Sequence, residues 1–545
     1  MALFKEVKKP VIKTVFPAAD EISPLRPLFV AKAPPCASGC PNGNEIRGSL
    51  VMIAQAKDYG LSTEQAFERA WNHIVERNPL PAVTGRICPH PCEANCNRSA
   101  KDGAVALHAI ERMLGDFGIS RKLKPPRTTE SHKEKIAVVG AGPAGLSCAY
   151  QLARRGYRVT VFESLPLPGG MLRYCIPEHR LRRDVLDAEI NRLMDLGIEL
   201  RCNCRAGTDI SIEQLREEYQ AVFAGTGAWQ GIPLKLAGEN ARNAIGAIEF
   251  LRRLNGAETI ELGKKVVVVG AGPTSIDVAH SCKRLGANVT VIGAEITAAD
   301  WQIDAVRNEG VRIEAPAVPV EIRTQNGFAT GVRCAYLATP TSDLSQAAPC
   351  LSQREFELDA SLVIVATNRE PDLRGFETVS NGEAWFQADE WGRTPAEQFF
   401  AGGDNTGLGS VSRAIAHGRL AGEAIDRQFR GLEPEKPATL PAITADKMKL
   451  EYYQAAPRQL ATEDEERRLE VIDEMEWSEE AVINEAKRCM SCGMCMDCEA
   501  CWMYCTPNCF VRLPKGEHCR IKLELCNGCK KCAEACPTGY IELIQ

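Results

Sequence analysis

The sequence predicts an α/β protein built on two Rossmann-like units, with a helical, cysteine-containing segment before them and a small cysteine-rich α+β domain after them. Residues 135–145 and 265–275 each run from an apolar strand through a glycine-rich turn into a helix. Alternating strands and helices of this kind form parallel, doubly wound sheets. Twelve of the 24 cysteines lie in the last 57 residues, which indicates a separate metal or redox module there.

The bulk composition is that of a globular chain of about three or four domains. Of the 545 residues, 45% are hydrophobic and 25% are charged, and the net charge of −6 gives no electrostatic reason to expect nucleic acid as a partner. Since no apolar run approaches about 18 residues and residues 1–30 lack a signal pattern, we expect no membrane insertion and a cytoplasmic location. In that reducing compartment, clustered cysteines indicate metal or redox sites and not disulfides.

The first glycine-rich turn has the pattern of a dinucleotide site. Gly140 allows the tight turn, Gly142 lets the backbone approach a pyrophosphate, and Gly145 lets the helix pack on the strand. The helix N-terminus then faces the phosphate anion. Glu163 ends the second strand, 23 residues after Gly140, where a carboxylate accepts hydrogen bonds from ribose hydroxyls.

The second turn repeats this design 130 residues later with Gly270 and Gly272, but Ser275 replaces the third glycine. Its second strand is followed by Gly293, Ala294 and Glu295, with no arginine or lysine beside them. A 2′-phosphate on NADP needs such a cation, whereas a carboxylate bonds a free 2′-hydroxyl and repels a phosphate. The sequence therefore favours NAD(H) over NADP(H) at this turn.

The C-terminal cysteines repeat the spacing C-x2-C-x2-C-x3-C, which is typical of a ferredoxin with two 4Fe–4S clusters. In that pattern the fourth cysteine of each run ligates the other cluster. One predicted ligand set is Cys495, Cys498, Cys501 and Cys536, and the other is Cys526, Cys529, Cys532 and Cys505. A frame beginning at Cys492 is the alternative for the first run. The spare cysteines are Cys489, Cys492, Cys509 and Cys519, either inert or holding a further metal.

Several motifs resemble the glutamate synthase small subunit and its relatives, a family of FAD- and NAD(P)-binding oxidoreductases. They are residues 84–89 (TGRICP), residues 169–181 (GGMLRYCIPEHRL), the paired Gly-Ala-Gly-Pro turns and residues 400–404 (FAGGD), within a resemblance that covers residues 35–430. The cysteines after Arg488 resemble a subgroup with a fused C-terminal ferredoxin. The flavoprotein partner of dissimilatory sulfite reductase and NADH-handling subunits of 2-oxoacid oxidoreductase complexes are of this type.

The resemblance implies that the first unit binds FAD and the second binds the nicotinamide nucleotide. The expected FAD residues are Gly140, Gly142, Pro143, Ala144, Gly145, Glu163, Gly170, Met171, Leu172, Asp404, Val411 and Ser412. The expected NAD residues are Gly270, Gly272, Pro273, Thr274, Ser275 and Glu295.

The resemblance also guides the N-terminal cysteines. Relatives with two N-terminal clusters have an upstream C-x2-C pair, and no cysteine precedes Cys36 in this sequence. We therefore expect one 4Fe–4S cluster there, held first by Cys40, Cys88, Cys92 and Glu111, with Cys36 and Cys96 as competing ligands. Glu111 matches a position where some relatives use a glutamate or glutamine ligand. A structural zinc at the same cysteines is the alternative.

The expected architecture is thus two Rossmann-like nucleotide-binding domains (FAD and NAD), flanked by an N-terminal helical iron–sulfur domain and a C-terminal α+β ferredoxin domain. The expected boundaries are 1–130 for the N-terminal domain, 131–237 and 369–432 for the FAD domain, 238–368 for the NAD(P) domain, 433–485 for a linker and 486–545 for the ferredoxin domain.

We expect an NAD(P)H:acceptor oxidoreductase with FAD and three 4Fe–4S clusters, exchanging electrons with a partner redox enzyme or carrier protein. No catalytic acid or base is expected, since hydride transfer to a flavin needs none. A hetero-oligomer or homodimer is expected, with the chain acting as a subunit of a larger complex. The alternative is a glutamate synthase small subunit. Residues 131–430 contain no C-x2-C or C-x4-C pair, so thiol exchange is not expected.

Overall fold

The structure is a computed structural model that describes residues 23–338, 351–435, 440–459, 477–514 and 516–545. Within these ranges the predicted α/β organisation is confirmed. Residues 1–22 of the expected N-terminal domain and residues 436–439 and 460–476 of the expected linker lie outside the described residues. No described helix has the length and apolar character needed to cross a membrane.

The described ranges contain strands and helices that we number in chain order. The strands are β1 (Arg26–Phe29), β2 (Lys135–Val139), β3 (Arg158–Phe162), β4 (Glu199–Arg201), β5 (Ala221–Ala224), β6 (Gln230–Gly231), β7 (Ala244–Gly246), β8 (Lys265–Val269), β9 (Asn288–Ile292), β10 (Arg312–Glu314), β11 (Ala317–Gln325), β12 (Phe328–Leu337), β13 (Leu351–Asp359), β14 (Leu362–Val365), β15 (Arg369–Glu370), β16 (Phe399–Ala401), β17 (Phe510–Arg512), β18 (Cys519–Ile521) and β19 (Ile541–Ile544). The helices are α1 (Pro35–Gly39), α2 (Ile46–Ala54), α3 (Thr63–Val75), α4 (Pro81–Ile87), α5 (Pro91–Ala94), α6 (Leu107–Ser120), α7 (Pro143–Arg154), α8 (Met171–Tyr174), α9 (Arg183–Met194), α10 (Ile212–Glu218), α11 (Ala247–Asn255), α12 (Pro273–Arg284), α13 (Asp300–Asn308), α14 (Glu377–Ser380), α15 (Val411–Phe429), α16 (Glu479–Ala486), α17 (Ala500–Tyr504) and α18 (Lys531–Ala535).

The first nucleotide-binding domain is a five-stranded parallel sheet in the order β16-β5-β2-β3-β4. Its strands are almost continuously apolar because helices cover both faces. Helix α7 begins with Pro143, which suits the first helical turn. It packs closely on α15, where a Cβ on Gly418 would lie 2.0 Å from the carbonyl oxygen of Ala144. The C-terminal part of this domain therefore closes directly over the first glycine-rich turn.

The second nucleotide-binding domain has its own parallel sheet, in the order β10-β9-β8-β14-β7. A three-stranded antiparallel sheet, β11-β12-β13, packs beside it through Ile322, Val332 and Cys334. Strands β6 and β15 pair where the chain enters and leaves this domain, with Gln230 opposite Glu370. The second nucleotide-binding domain is thus inserted between β6 and β15.

The N-terminal helical domain comprises α1 to α6 around a core that includes Leu50, Phe67 and Leu114. Helix α3 begins with a capping box in which the side chain of Ser62 accepts from the backbone of Gln65. Helix α16, which comes more than 350 residues later, packs into the same core. Part of the stretch expected to be a linker is therefore docked against this domain.

The C-terminal ferredoxin domain contains α17, α18 and the β17-β18 hairpin. Its last strand, β19, pairs antiparallel with β1, so that Phe29 lies opposite Ile541. Phe29 also stacks on Tyr540 with ring centroids 5.3 Å apart. The start of the described chain thus completes the ferredoxin domain, a contact between the two ends that the expected boundaries, 1–130 and 486–545, did not include.

Candidate functional site

One large cleft lies between the two nucleotide-binding domains, at the carboxyl ends of their parallel strands. Its volume of about 430 Å³ falls within the roughly 300–1,000 Å³ typical of small-molecule and cofactor sites. The predicted residues that line it are Gly140, Gly142, Pro143, Ala144, Glu163, Gly170, Met171, Leu172, Asp404, Val411, Pro273 and Thr274. The structure therefore brings most of the expected FAD residues and two expected NAD residues to one cavity.

The first turn is shaped by close backbone approach. Gly140 has a φ of +98°, and a Cβ on Gly145 would lie only 1.8 Å from the carbonyl oxygen of Gly140. Gly145 therefore lies behind the cleft wall and supports the turn. A Cβ on Gly142, by contrast, would meet only the Cα of Gly170, at 3.9 Å, so the space in front of this residue is open to a phosphate.

Glu163 is buried at the cleft and is held by backbone donors. Its Oε2 accepts from the amide of Ala141 at 2.7 Å, and its Oε1 accepts from the amide of Leu165 at 2.9 Å. Burial raises the pKa of Glu163 above its usual value, and these donors oppose that rise. The carboxylate is thus fixed beside the turn, with lone pairs left to accept from ribose hydroxyls.

A second charged group faces the first turn across the cleft. Asp404 Oδ1 accepts from the amide of Gly409 at 3.1 Å, and its Oδ2 lies 3.6 Å from the guanidinium of Arg369. Arg369 also contacts the sulfur of Met171, at 2.7 Å. Arg369 follows β14 without any motif around it, so sequence reasoning missed it.

The expected NAD residues divide into two groups. Pro273 and Thr274, at the start of α12, line the cleft. Ser275 is fully buried, and its hydroxyl donates to the carbonyl of Ala366 at 3.3 Å. Glu295 is exposed after β9, and Gly270 and Gly272 form the turn behind Thr274.

A buried ion pair crosses the cleft between the two domains. Arg180, before α9, pairs with Asp277 on α12, and both side chains line the cleft. Burial raises the pKa of Asp277, while the guanidinium of Arg180 opposes the rise. Arg180 belongs to the motif at residues 169–181 and Asp277 to no recognised motif, and nothing in the sequence indicated that the two would pair.

The first N-terminal cysteine set lies against the cleft wall. Ile87 and Pro89 line the cleft, and Cys88 lies between them in sequence. The sulfur of Cys88 is 3.1 Å from the hydroxyl of Ser412, which was expected at the flavin. The neighbouring Val411 lines the cleft instead, because adjacent helical residues point in different directions.

Cys40, Cys88, Cys92 and Glu111, the residues expected to hold the N-terminal cluster, lie near one another. Burial raises the pKa of Cys88 to about 11, and the nearby Glu111 carboxylate and Cys40 thiol add to the rise. The same carboxylate adds to the effect of burial on Cys40 and Cys92. Glu111 itself accepts from the amide of Asn78 at 2.9 Å, and burial raises its pKa to about 7. These three thiols and one carboxylate are therefore the candidate ligand set of a 4Fe–4S cluster.

The expected competing ligands, Cys36 and Cys96, lie elsewhere. They line a separate cavity together with Cys489 and Cys492. Cys492 is therefore placed away from the ferredoxin cavities, which supports the frame chosen for the C-terminal run over the alternative that begins at Cys492.

The cysteines of the two predicted ferredoxin ligand sets line two separate cavities. One cavity is lined by Cys495, Cys498, Cys501, Cys519 and Cys536. The other is lined by Cys505, Cys509, Cys526, Cys529 and Cys532. Two of the four spare cysteines therefore lie with these sets, Cys519 in the first cavity and Cys509 in the second. The amide of Cys509 donates to the sulfur of Cys505 at 3.2 Å. All these cysteines are free thiols, so each set can hold a cluster.

The decisive comparison is with families of known proteins. A family model described as pyridine nucleotide-disulphide oxidoreductase matches residues 134–418, just over half of the chain. The chain belongs to this family. Two further family models match segments before and after this one. The model described as dihydropyrimidine dehydrogenase domain II, 4Fe-4S cluster, matches residues 22–123, and the model described as 4Fe-4S binding domain matches residues 520–542.

Similar curated proteins have names that describe redox subunits. The chain is 35% identical over 353 residues to an NADPH-Fe(3+) oxidoreductase subunit beta of Geobacter sulfurreducens, covering 62% of this chain and 51% of that protein. It is 32% identical to the NADP(+)-dependent formate dehydrogenase subunit beta of Moorella thermoacetica, covering 73% and 60%. It is 29% identical to the NAD-dependent dihydropyrimidine dehydrogenase subunit PreT of Salmonella typhimurium, covering 74% and 96%. The chain thus spans about half the length of the Geobacter relative.

These matches confirm the resemblance to glutamate synthase small subunit-like proteins and the predicted fold class. The matched models describe an oxidoreductase domain with iron–sulfur domains on both sides of it, and they support FAD as a cofactor of the chain. A nicotinamide nucleotide and 4Fe–4S clusters are supported as its other cofactors.

Proposed function

We propose that this protein passes electrons between a nicotinamide nucleotide and a partner redox protein, as one subunit of a larger complex. One observation carries the proposal: Cys88, an expected ligand in the first cysteine set, lies in sequence between two residues of the cleft wall and contacts Ser412 at the start of α15. The nucleotide cleft and an iron–sulfur site therefore share a wall. FAD held in the cleft would supply hydride acceptance and single-electron release, and 4Fe–4S clusters held by the cysteine sets would carry the single electrons.

The residues of the chain position these groups and exclude water. Gly142 leaves room for the FAD pyrophosphate, Glu163 orients the ribose, and Asp404 with Arg369 holds the opposite side of the cleft. Thr274 and Pro273 present the N-terminus of α12 to the nicotinamide nucleotide. No catalytic acid or base is part of the proposal.

We propose NAD(H) as the nucleotide. Glu295 is exposed after β9, at the position expected to meet the ribose of a nucleotide on the second turn, and no lysine or arginine lies between residues 293 and 300. Two of the relatives are named for NADPH or NADP(+) and one for NAD. The names of these relatives therefore do not agree on one nucleotide, and the negative charge of Glu295 supports NAD(H).

The partner is proposed to meet the ferredoxin domain. Leu523 and Leu525, which come just before Cys526, are each 46% exposed. Apolar side chains exposed beside a cluster ligand suit contact with another redox protein. The relatives named as beta subunits and as PreT support a place within a complex.

The test is anaerobic reduction of a viologen dye by the purified protein, with NADH and NADPH compared. Rapid reduction with NADH preferred supports the proposal, and absence of reduction with either nucleotide contradicts it. Affinity purification from the native host then shows whether a catalytic partner accompanies the chain. Glutamine-dependent glutamate formation with a co-purified large subunit would favour the alternative, a glutamate synthase small subunit.

A further inference from the structure

Four cysteines from opposite ends of the chain surround one cavity that the proposed function does not use. Cys36 and Cys96 come from the N-terminal domain, whereas Cys489 and Cys492 follow α16. Pro34, Arg47 and Leu50 are among the other residues of the wall. One wall thus brings together two cysteines from each end of the chain.

A buried ionic network holds the second pair of cysteines in place. The fully buried Arg488 donates to the carbonyl of Gly103 at 2.8 Å and to that of Asp102 at 3.1 Å, and it pairs with Glu485 at 2.6 Å. Arg98, two residues after Cys96, donates in return to the carbonyl of Arg488 at 2.8 Å. The residue before Cys489 is thus fixed to the loop after Cys96.

A second set of contacts fixes the backbone at Cys492 and Gly493. The guanidinium of Arg47 donates to the carbonyl of Cys492 at 2.9 Å, and the amide of Lys32 donates to the carbonyl of Gly493 at 3.0 Å. Arg47 also places a positive charge on the cavity wall, where it offsets the negative charge of thiolates. Both cysteines of the C-x2-C pair are therefore clamped against the N-terminal domain.

The spacing of the thiols favours a cluster over zinc. In a tetrahedral zinc site with Zn–S bonds of about 2.3 Å, the sulfurs lie about 3.8 Å apart. Among the described residues, no three cysteine sulfurs lie within 4.8 Å of one another. None of the four cysteines forms a disulfide. The four thiols thus surround a space wider than one zinc ion fills.

The cysteines of this cavity are also close in sequence to cysteines of two other sets. Cys36 lies in α1 and Cys40 directly follows that helix, the two being four residues apart, or about 6 Å along a helix. Cys492 precedes Cys495 of the ferredoxin domain by three residues, a separation of at most about 11 Å between Cα atoms. A cofactor in this cavity therefore bridges the set beside the cleft and the first ferredoxin set.

We propose that Cys36, Cys96, Cys489 and Cys492 ligate a fourth 4Fe–4S cluster, which forms only when the C-terminal arm docks on the N-terminal domain. This cluster deepens the proposed function by completing the path from the cleft to the ferredoxin domain. It changes the expected count from three clusters to four. Its presence is tested by composition, without nucleotide turnover, so its failure is distinguishable from failure of the proposed function.

The experiment is determination of iron, acid-labile sulfide, zinc and FAD in the full-length protein after anaerobic purification and cluster reconstitution. Four clusters give about 16 iron and 16 sulfide per chain, and three give about 12. The Cys489→Ser/Cys492→Ser variant should fall to about 12 iron while keeping its FAD. The matched control, Cys202→Ser, changes a partly buried cysteine outside every set and should stay at about 16.

A Cys36→Ser/Cys96→Ser variant tests the other half of the site and should lose the same four iron atoms. About 12 iron in the wild-type protein, or about 12 iron with one zinc, overturns the proposal without reliance on any variant. Unchanged iron in both double variants also overturns it. If a double variant loses FAD and so has not folded, the wild-type count decides.

Discussion

The two glycine-rich turns are nearly identical in sequence and differ in how tightly they are enclosed. At the first turn, Gly145 packs against Gly140, and Glu163 is locked to backbone amides. At the second, Ser275 fills the corresponding position with a hydrogen bond to Ala366, and Glu295 is exposed. The first turn thus suits a cofactor that stays bound, and the second suits a nucleotide that comes and goes.

The largest effect should come from adding a side chain at the first turn. Gly145→Val places its Cβ 1.8 Å from the Gly140 carbonyl, so the turn cannot keep its shape. We expect the FAD content, measured by flavin absorbance per chain, to fall about tenfold or more. The matched change at the second turn, Ser275→Gly, should leave FAD content unchanged, and full FAD retention in Gly145→Val would remove the basis of the comparison.

A smaller loss should follow from changing the carboxylate that the first turn holds. In Glu163→Gln one acceptor becomes a donor that faces the amides of Ala141 or Leu165. Loss of a charge-assisted hydrogen bond costs about 1.5–3 kcal/mol, which weakens FAD binding by about 10- to 100-fold. Titration of the apoprotein with FAD measures this, with Glu295→Gln as the control that should bind FAD normally. Equal affinities of the Glu163→Gln and Glu295→Gln variants for FAD would contradict the placement of Glu163 at the FAD site.

A substitution at the second turn should change the preference between NADH and NADPH and leave FAD binding unchanged. Glu295→Arg replaces a charge that repels a 2′-phosphate with one that attracts it. We expect the ratio of kcat/KM for NADPH to that for NADH to rise by about tenfold, or about 1.4 kcal/mol, with FAD content unchanged. A wild-type preference for NADPH, or an unmoved ratio in the variant, would show that Glu295 does not face the ribose.

The smallest effect is expected at the buried serine. Ser275→Ala removes one neutral hydrogen bond, to the carbonyl of Ala366, worth about 0.5–1.5 kcal/mol of folding free energy. A slightly lower Tm and a change of less than about twofold in the KM for NADH are expected. A large rise in KM with an unchanged Tm would mean that the hydroxyl binds the nucleotide directly.

The local parts of the site were predictable from sequence because their signals are local. A strand, a glycine-rich turn and a helix occur within 11 residues, and Cys88 and Cys92 are only four residues apart. The sequence could not show that Cys36 and Cys96 meet Cys489 and Cys492, since nearly 400 residues separate the two pairs. From the sequence, Cys36 and Cys96 were therefore expected to compete as ligands with Cys40, Cys88 and Cys92, whereas in the structure they line a separate cavity.

Side-chain direction was a second limit. Val411 and Ser412 are adjacent at the start of α15, yet one lines the cleft and the other contacts Cys88. Arg369 and Asp277 reach the cleft from ordinary positions after a strand and within a helix. Their placement depends on how the two domains face each other, which no motif records.

The central claim is that electrons pass between the nucleotide cleft and the iron–sulfur sites. Its most direct test is an anaerobic titration of the reconstituted protein with NADH, in which flavin absorbance and the electron paramagnetic resonance of reduced clusters are followed together. The account predicts that NADH bleaches the flavin and that cluster signals appear in the same titration. A flavin that is reduced by NADH while every cluster stays oxidised, although dithionite reduces those clusters, would contradict it.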